Sequence, residues 1–194
     1  MKAHILPAIK LTLVCIVFFC GIYTLLILGI AKAAPAHGEG ETVVAGGRVV
    51  GYLLEGQNFS RDDYFWGRPS AVGYNAAGSG GSNKGPSNPD YLKDVQGHID
   101  SFLVHNPGVK KEDIPAELVT YSGSGLDPDL SPAGVRIQIP RVAAARHLEP
   151  EKLNSLVERY TDKPLLGLFG PSKVNILKLN VALDGLASGR GEAQ

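Results

Sequence analysis

The sequence predicts an α/β (α+β) single soluble domain, with mixed short strands and about three helices, tethered by one N-terminal transmembrane helix. Three observations carry this. The stretch Leu11–Ala31, LTLVCIVFFCGIYTLLILGIA, holds no charged residue and no proline. About 160 residues follow it, enough for one compact body with its own core. Along them, short β-branched runs alternate with capped helical stripes, separated by loops rich in glycine, serine and proline.

At about 1.5 Å rise per residue, Leu11–Ala31 as a helix covers roughly the 30 Å hydrocarbon core of a bilayer. A lone segment can span lipid only as a helix, because each N–H and C=O must be satisfied within it. The division expected is a cytoplasmic N-terminus at 1–10, the span at 11–31, a linker at 32–41, an extracytoplasmic domain at 42–186 and a disordered tail at 187–194. Lys2 and Lys10 precede the span with no acid; Lys32, then Glu39 and Glu41, follow it. The positive-inside bias therefore favours a cytoplasmic N-terminus and a body outside the cytoplasm. Ala31, Ala33 and Ala34 also resemble a small-residue cleavage site. The apolar run exceeds the 7–15 residues usual for a signal peptide, and either alternative exports the body. Within the span, Cys20, Gly21 and Thr24 lie close together, a spacing of small residues that lets another helix approach or simply faces lipid.

Lysine plus arginine equal aspartate plus glutamate at 19 each, and setting aside Lys2, Lys10 and Lys32 the body has 16 basic against 19 acidic side chains. This is no footprint for nucleic acid. Both cysteines, Cys15 and Cys20, lie in the span, so the body has neither a disulfide nor a thiolate metal site.

Residues 42–54, TVVAGGRVVGYLL, read as one or two strands. Tyr74 to Asn88, YNAAGSGGSNKGPSN, is a loop by composition, either a linker or a segment tied down at both ends. Asn88, Pro89 and Asp90 start a helix whose stripe runs through Leu92, Val95, Ile99 and Phe102. His105-Asn106-Pro107-Gly108 stops it. Leu118–Tyr121 reads as a short strand and Ser122–Asp129 as a second glycine-serine loop. Ser131-Pro132 starts another helix, which Pro140 kinks or restarts. Glu149-Pro150-Glu151 begins a further one, buried through Leu153, Leu156, Val157 and Tyr160. Val174–Leu177 looks like a strand, and Leu179–Leu183 continue it or turn helical.

No catalytic residue emerges. Gly80 and Gly85 are spaced as in a phosphate-binding loop, but Pro86 stands where its lysine should be and offers neither charge nor N–H. No G-x-S-x-G or S-x-x-K occurs. Ser79, Ser82, Ser122 and Ser124 read as loop-ordering hydroxyls. Asp94, His98 and His105 share a helix face, but the histidines lie about 10 Å apart along the axis, too far for one metal ion. Arg141 and Arg146, five positions apart, are expected to diverge. No metal site and no intrinsic cofactor is expected.

Several separated motifs carry a family likeness. Trp66-Gly67-Arg68-Pro69-Ser70-Ala71, Tyr74-Asn75, Ser79-Gly80-Gly81-Ser82-Asn83, Gly85-Pro86-Ser87-Asn88-Pro89, Ser122–Pro128 with Ser131-Pro132, Arg141-Val142-Ala143 with Ala145-Arg146, and Val174-Asn175 with Leu179-Asn180 together resemble the KdpC subunit family of the Kdp potassium-transporting ATPase. The resemblance runs from the span to about Gly185. It implies a non-catalytic accessory subunit in the bacterial inner membrane, needed for assembly of a high-affinity K⁺ importer. Its implied partners are a channel-like K⁺-selecting subunit and a P-type subunit that hydrolyses ATP. The family is described as a catalytic chaperone that raises the ATP affinity of the hydrolysing subunit. By that likeness Ser79, Gly80, Gly81, Ser82, Asn83 and Gly85 are the nucleotide-contact stretch, with ATP reached through the partner.

The charge rule and that role pull apart, since an exported body meets no ATP. In that case the body caps the pore mouth of the channel-like subunit, and Asp62, Asp63, Asp127 or Asp129 would raise local K⁺ concentration over roughly the 8 Å Debye length. Two alternatives stay open. One is an anchored exported hydrolase or other extracytoplasmic binding module; the other is a cytoplasm-facing nucleotide-binding module.

Overall fold

A computed structural model describes residues 2–187, so the expected tail beyond Ala187 lies outside the described residues. The chain divides into a first unit ending at Glu41 and a second beginning at Thr42.

The first unit is one helical run: α1 (Lys2–Cys15), a π-helical stretch over Ile16–Tyr23, and α2 (Thr24–Ala33). The helix reaches beyond Leu11–Ala31 at both ends, and His4–Ala33 is long and apolar enough to cross a bilayer. Cys20 and Gly21 fall inside the π-helical stretch. Thr24 Oγ1 donates to the carbonyl of Phe19, five residues back, at 2.9 Å, the reach that the wider π turn provides.

The second unit opens with an antiparallel hairpin of β1 (Thr42–Ala45) and β2 (Arg48–Tyr52). Gly46 and Gly47 turn it with φ of 58° and 78°, the paired positive values of a type I′ turn. An irregular segment then leads to α3 (Pro89–His105), where Asn88 Oδ1 accepts from the N–H groups of Asp90 and Tyr91. Pro89 and Asp90 fill the first turn as expected.

Leu118–Tyr121 is not a strand. Ala116–Leu118 form a 3₁₀ turn, and the N–H groups of Val119 and Thr120 both return to the Ala116 carbonyl. With those donors used locally, no ladder forms, although Leu118 and Val119 are buried.

A three-stranded antiparallel sheet follows, ordered β3 (Asp129–Leu130), β5 (Lys173–Asn175), β4 (Thr161–Asp162). Four helices pack with it: α4 (Pro132–Arg136), α5 (Ile139–Arg146), α6 (Pro150–Arg159) and α7 (Ile176–Ala187). The α4–α5 break falls where Pro140 has no N–H to offer the Arg136 carbonyl. The expected strand at Val174–Leu177 ends at Asn175, whose Oδ1 accepts from Lys178 N–H and starts α7 as a cap. The body thus has the expected mixed α+β class, with more helical segments than the three anticipated. Phe65, Phe102, Leu130, Val135, Val142, Leu153, Val157, Val174, Leu179 and Leu183 form the core.

Candidate functional site: two packed glycine-serine loops

The site starts from an extended stretch that has no sheet partner. At Phe65 the backbone N–H donates to Asn180 Oδ1, and Asn180 Nδ2 donates back to the Phe65 carbonyl, both at 2.9 Å. At Trp66 the N–H donates to Gln138 Oε1 at 2.8 Å, and Gln138 Nε2 donates to the Trp66 carbonyl at 3.1 Å. Two buried side-chain amides thus act as one-residue strand partners and satisfy a backbone that would otherwise be buried unpaired.

Two arginines grip the same stretch. Arg141 is buried; its Nη1 donates to the carbonyls of Asp62 at 2.6 Å and Tyr64 at 3.0 Å. Its Nη2 reaches Gln138 Oε1 at 2.8 Å, its Nε reaches Asn106 Oδ1 at 3.2 Å, and its guanidinium lies 4.3 Å from the centre of the Trp66 ring. Burial pulls its pKa down to about 10, opposed by the Asp62 and Asp63 carboxylates, so it remains charged at neutral pH. Arg146 Nε donates to the Asp63 carbonyl at 2.6 Å. The expected divergence of Arg141 and Arg146 is corrected here. Both long side chains reach back from α5 onto residues 62–64.

Downstream, the chain crosses to the second loop. Arg68 pairs with Asp127 at 3.0 Å and also reaches the Tyr121 carbonyl. Ser122 N–H donates to the Pro69 carbonyl at 3.0 Å. Ser70 Oγ donates to the Gly125 carbonyl at 2.7 Å while accepting from Tyr74 N–H at 2.9 Å. Burial raises the pKa of the Tyr74 phenol, which donates to the Arg68 carbonyl at 2.7 Å.

These contacts bring the two glycine-serine loops backbone to backbone. Ser79 Oγ and Gly80 N–H both donate to the Ser124 carbonyl, at 2.9 and 2.8 Å. A Cβ on Gly81 would sit 3.0 Å from the Gly123 carbonyl oxygen, and one on Gly125 would sit 2.7 Å from that of Gly80. Ser79–Gly81 is therefore a segment fixed against the second loop rather than a free linker. Gly81, Ser82, Asn83 and Lys84 then line an open cleft of about 320 Å³ with Tyr91 and Tyr121. Gly85 follows this rim with open space around its Cα. Lys84 Nζ is bound to Asp94 at 2.9 Å, and that hydrogen bond raises its pKa. The leading N–H groups of α3 already face Asn88.

The carboxylates expected to gather K⁺ are matched by cations or imidazole. Asp62 meets His105 Nδ1 at 2.7 Å, Asp63 meets Arg61 at 2.6 Å, Asp127 meets Arg68, and Asp129 meets Lys173 at 2.7 Å. For Asp63, Asp127 and Asp129, whose partners are cations, such pairing cancels most of the field beyond the contact. His98 Nδ1 faces the Val119 carbonyl at 3.0 Å, so the two histidines of α3 serve separate structural contacts.

The family model for the K⁺-transporting ATPase, c chain, matches residues 5–185. The chain belongs to the KdpC family. A potassium-transporting ATPase KdpC subunit from Flavobacterium psychrophilum is 56% identical over 183 residues, covering 94% of this chain and 98% of the relative. Those of Bacteroides fragilis and Nitratidesulfovibrio vulgaris are 49% and 44% identical, covering 94% and 99% of this chain and 97% and 99% of the relative. The chain is thus a subunit of the Kdp potassium-transporting complex, and its N-terminal apolar helix fits a membrane-associated KdpC. Arg141, Asn180 and Trp66 belong to the motifs that carry the KdpC likeness. Their joint role was hidden, because the partners come from distant parts of the chain. The one local signal was a pair of arginines on an otherwise small and apolar helix, Val142-Ala143-Ala144-Ala145 between them.

Proposed function

We propose that this chain is a non-catalytic accessory subunit that assembles and stabilises the ATP-driven K⁺ importer, with its body docked on the extracytoplasmic side of the inner membrane. The observation that carries this is the cross-pinning of Ser79–Gly80 to Ser122–Gly125, which presents a fixed, open cleft. A preorganised surface binds a partner without the entropic cost of ordering loops. The channel-like K⁺-selecting subunit is the partner for this face, so K⁺ is served indirectly. The membrane helix packs against neighbouring helices through Cys20, Gly21 and Thr24. The π-helical stretch there and the open space around Gly21 favour that reading.

A second reading follows the family's description as a catalytic chaperone for the ATP-hydrolysing subunit. The cleft bordered by Lys84 and two tyrosines is the feature on its side, with nucleotide contact at Ser79–Asn83 and Gly85.

One experiment separates the two. Ser124→Cys sits on an exposed loop and is challenged with an impermeant thiol reagent in whole cells. Labelling from outside is expected and removes direct nucleotide contact. Protection that is lost on opening the cells overturns the export reading. In the same strain, Ser82→Tyr fills the cleft without touching the core. It should weaken co-purification of the partner subunits, and undiminished recovery refutes the docking face.

A further inference from the structure

The turn between β4 and β5 is unlike the rest of the body. From Pro164 to Pro171 there is no polar or charged side chain, yet Leu165, Leu166, Leu168 and Phe169 are 69, 82, 81 and 63% exposed. Leu166 has φ of 54° and Gly167 of 74°. A leucine in the left-handed region is uncommon, and here it carries an apolar side chain away from the core. The turn also closes its own backbone. The N–H of Leu165 donates to Phe169, that of Gly167 to Pro164, and those of Leu168 and Phe169 to the Leu165 carbonyl. Pro164 has no N–H to satisfy. A turn with these four donors already paired loses less on entering an apolar medium, where each unbonded group is costly.

Its base lies beside the chain's entry to the body. β5 follows the turn, and Asn175 Nδ2 donates to the Leu53 carbonyl at 2.8 Å, one residue past Tyr52, which pairs with Thr42. The hairpin there also exposes Val44 and Val49, and Leu54 just after it is exposed as well. Residues 34–41, which lead out of the membrane helix, span at most about 28 Å when fully extended. Exposed Lys163 stands at the foot of the turn, suited to anionic headgroups beside inserted apolar side chains.

We propose that the Lys163–Gly170 turn is a second, shallow membrane contact. Leu165, Leu166, Leu168 and Phe169 enter the interfacial layer of the bilayer that holds the N-terminal helix, and Lys163 meets acidic phospholipid headgroups. The contact holds for either orientation of the body, so its failure and that of the export reading are distinguishable.

The test uses Leu166→Cys and, separately, Leu168→Cys, with Cys15 and Cys20 replaced by alanine and the single thiol bearing an environment-sensitive fluorophore. Both positions lie outside the core, so the fold is not at stake. The Kdp complex carrying each chain is reconstituted in vesicles of phosphatidylethanolamine and phosphatidylglycerol, with and without lipids spin-labelled near the headgroup. Blue-shifted emission quenched roughly two-fold or more is expected, as insertion by about 5–10 Å requires. A label on exposed Ser155→Cys should stay unquenched, and Phe169→Asp should reverse the effect at Leu166. A blue shift without quenching assigns the turn to a protein surface and overturns the proposal. Unshifted, unquenched emission leaves it in water and overturns it equally.

Discussion

Replacing Arg141 with methionine keeps much of the side-chain volume and removes the fork. Four hydrogen bonds at 2.6 to 3.2 Å disappear, each worth about 1.5 kcal/mol or more when the donor is charged. Contact with the Trp66 ring contributes about 1 kcal/mol. Against this stands the relief of charge burial. Burial holds the guanidinium pKa down at about 10, a cost of roughly a few kcal/mol that offsets part of that loss. The net loss is about 3–4 kcal/mol, within the range for removing one member of a buried charged network. Trp66 is the sole tryptophan and lies against the substituted side chain, so its fluorescence during urea unfolding of the full chain in detergent reads the body directly. Arg141→Lys keeps charge without the fork and should recover only part of the loss. A methionine variant within about 1 kcal/mol of the parent would refute the idea that Arg141 holds residues 62–64 in place.

Gly125→Ala places a Cβ 2.5 Å from Val72 Cγ2 at a backbone φ of 69°, so it should cost about 2 kcal/mol and part the two loops. Gly123→Ala, with open space around it, is the neutral control in the same thermal melt. Asn180→Ala strips both partners from the Phe65 backbone and should cost about 2–4 kcal/mol by urea unfolding; a near-neutral result would mean water replaces the amide. Hydrogen bonding from Arg61, with further help from Arg146, holds the Asp63 carboxyl below its ordinary pKa. Its stabilisation is therefore fully present above about pH 5 and lost as pH falls through the depressed native value. Asp63→Asn should flatten that acid limb in melts across pH 2–6, and an unchanged limb rules out the pairing.

The local signals were legible and the long-range ones were not. Asn88-Pro89 and Ser131-Pro132 announce helix starts because a cap and a fixed φ act within one turn, and both side chains accept the expected backbone donors. Gly46-Gly47 marks the break between two β-prone runs, and the structure pairs those runs as a hairpin. Leu118–Tyr121 misled because β-branched and aromatic residues mark burial as readily as strand, and the 3₁₀ turn after Pro115 took the backbone donors. Val174–Leu177 reads as a strand because its apolar residues run on through Ile176, but Asn175 Oδ1 accepts from Lys178 N–H and starts a helix there. In the site, the composition of Ser79–Gly85 marks a loop, but only its meeting with Ser124 shows that the loop is fixed. Asp62, Asp63, Asp127 and Asp129 read as free anions in the sequence because most of their partners stand far along the chain, as Arg68 does from Asp127, 59 residues away.

The reliance of Phe65 and Trp66 on two amides has a temporal side. Gln138 and Asn180 leave the ribosome long after the stretch they clasp, and Asn180 sits in the last described helix. Until that helix has docked, the Phe65 N–H and carbonyl lack their amide partner. A polypeptide truncated before α7 thus leaves Phe65 unclasped, and the order of the body depends on synthesis having run through to that helix.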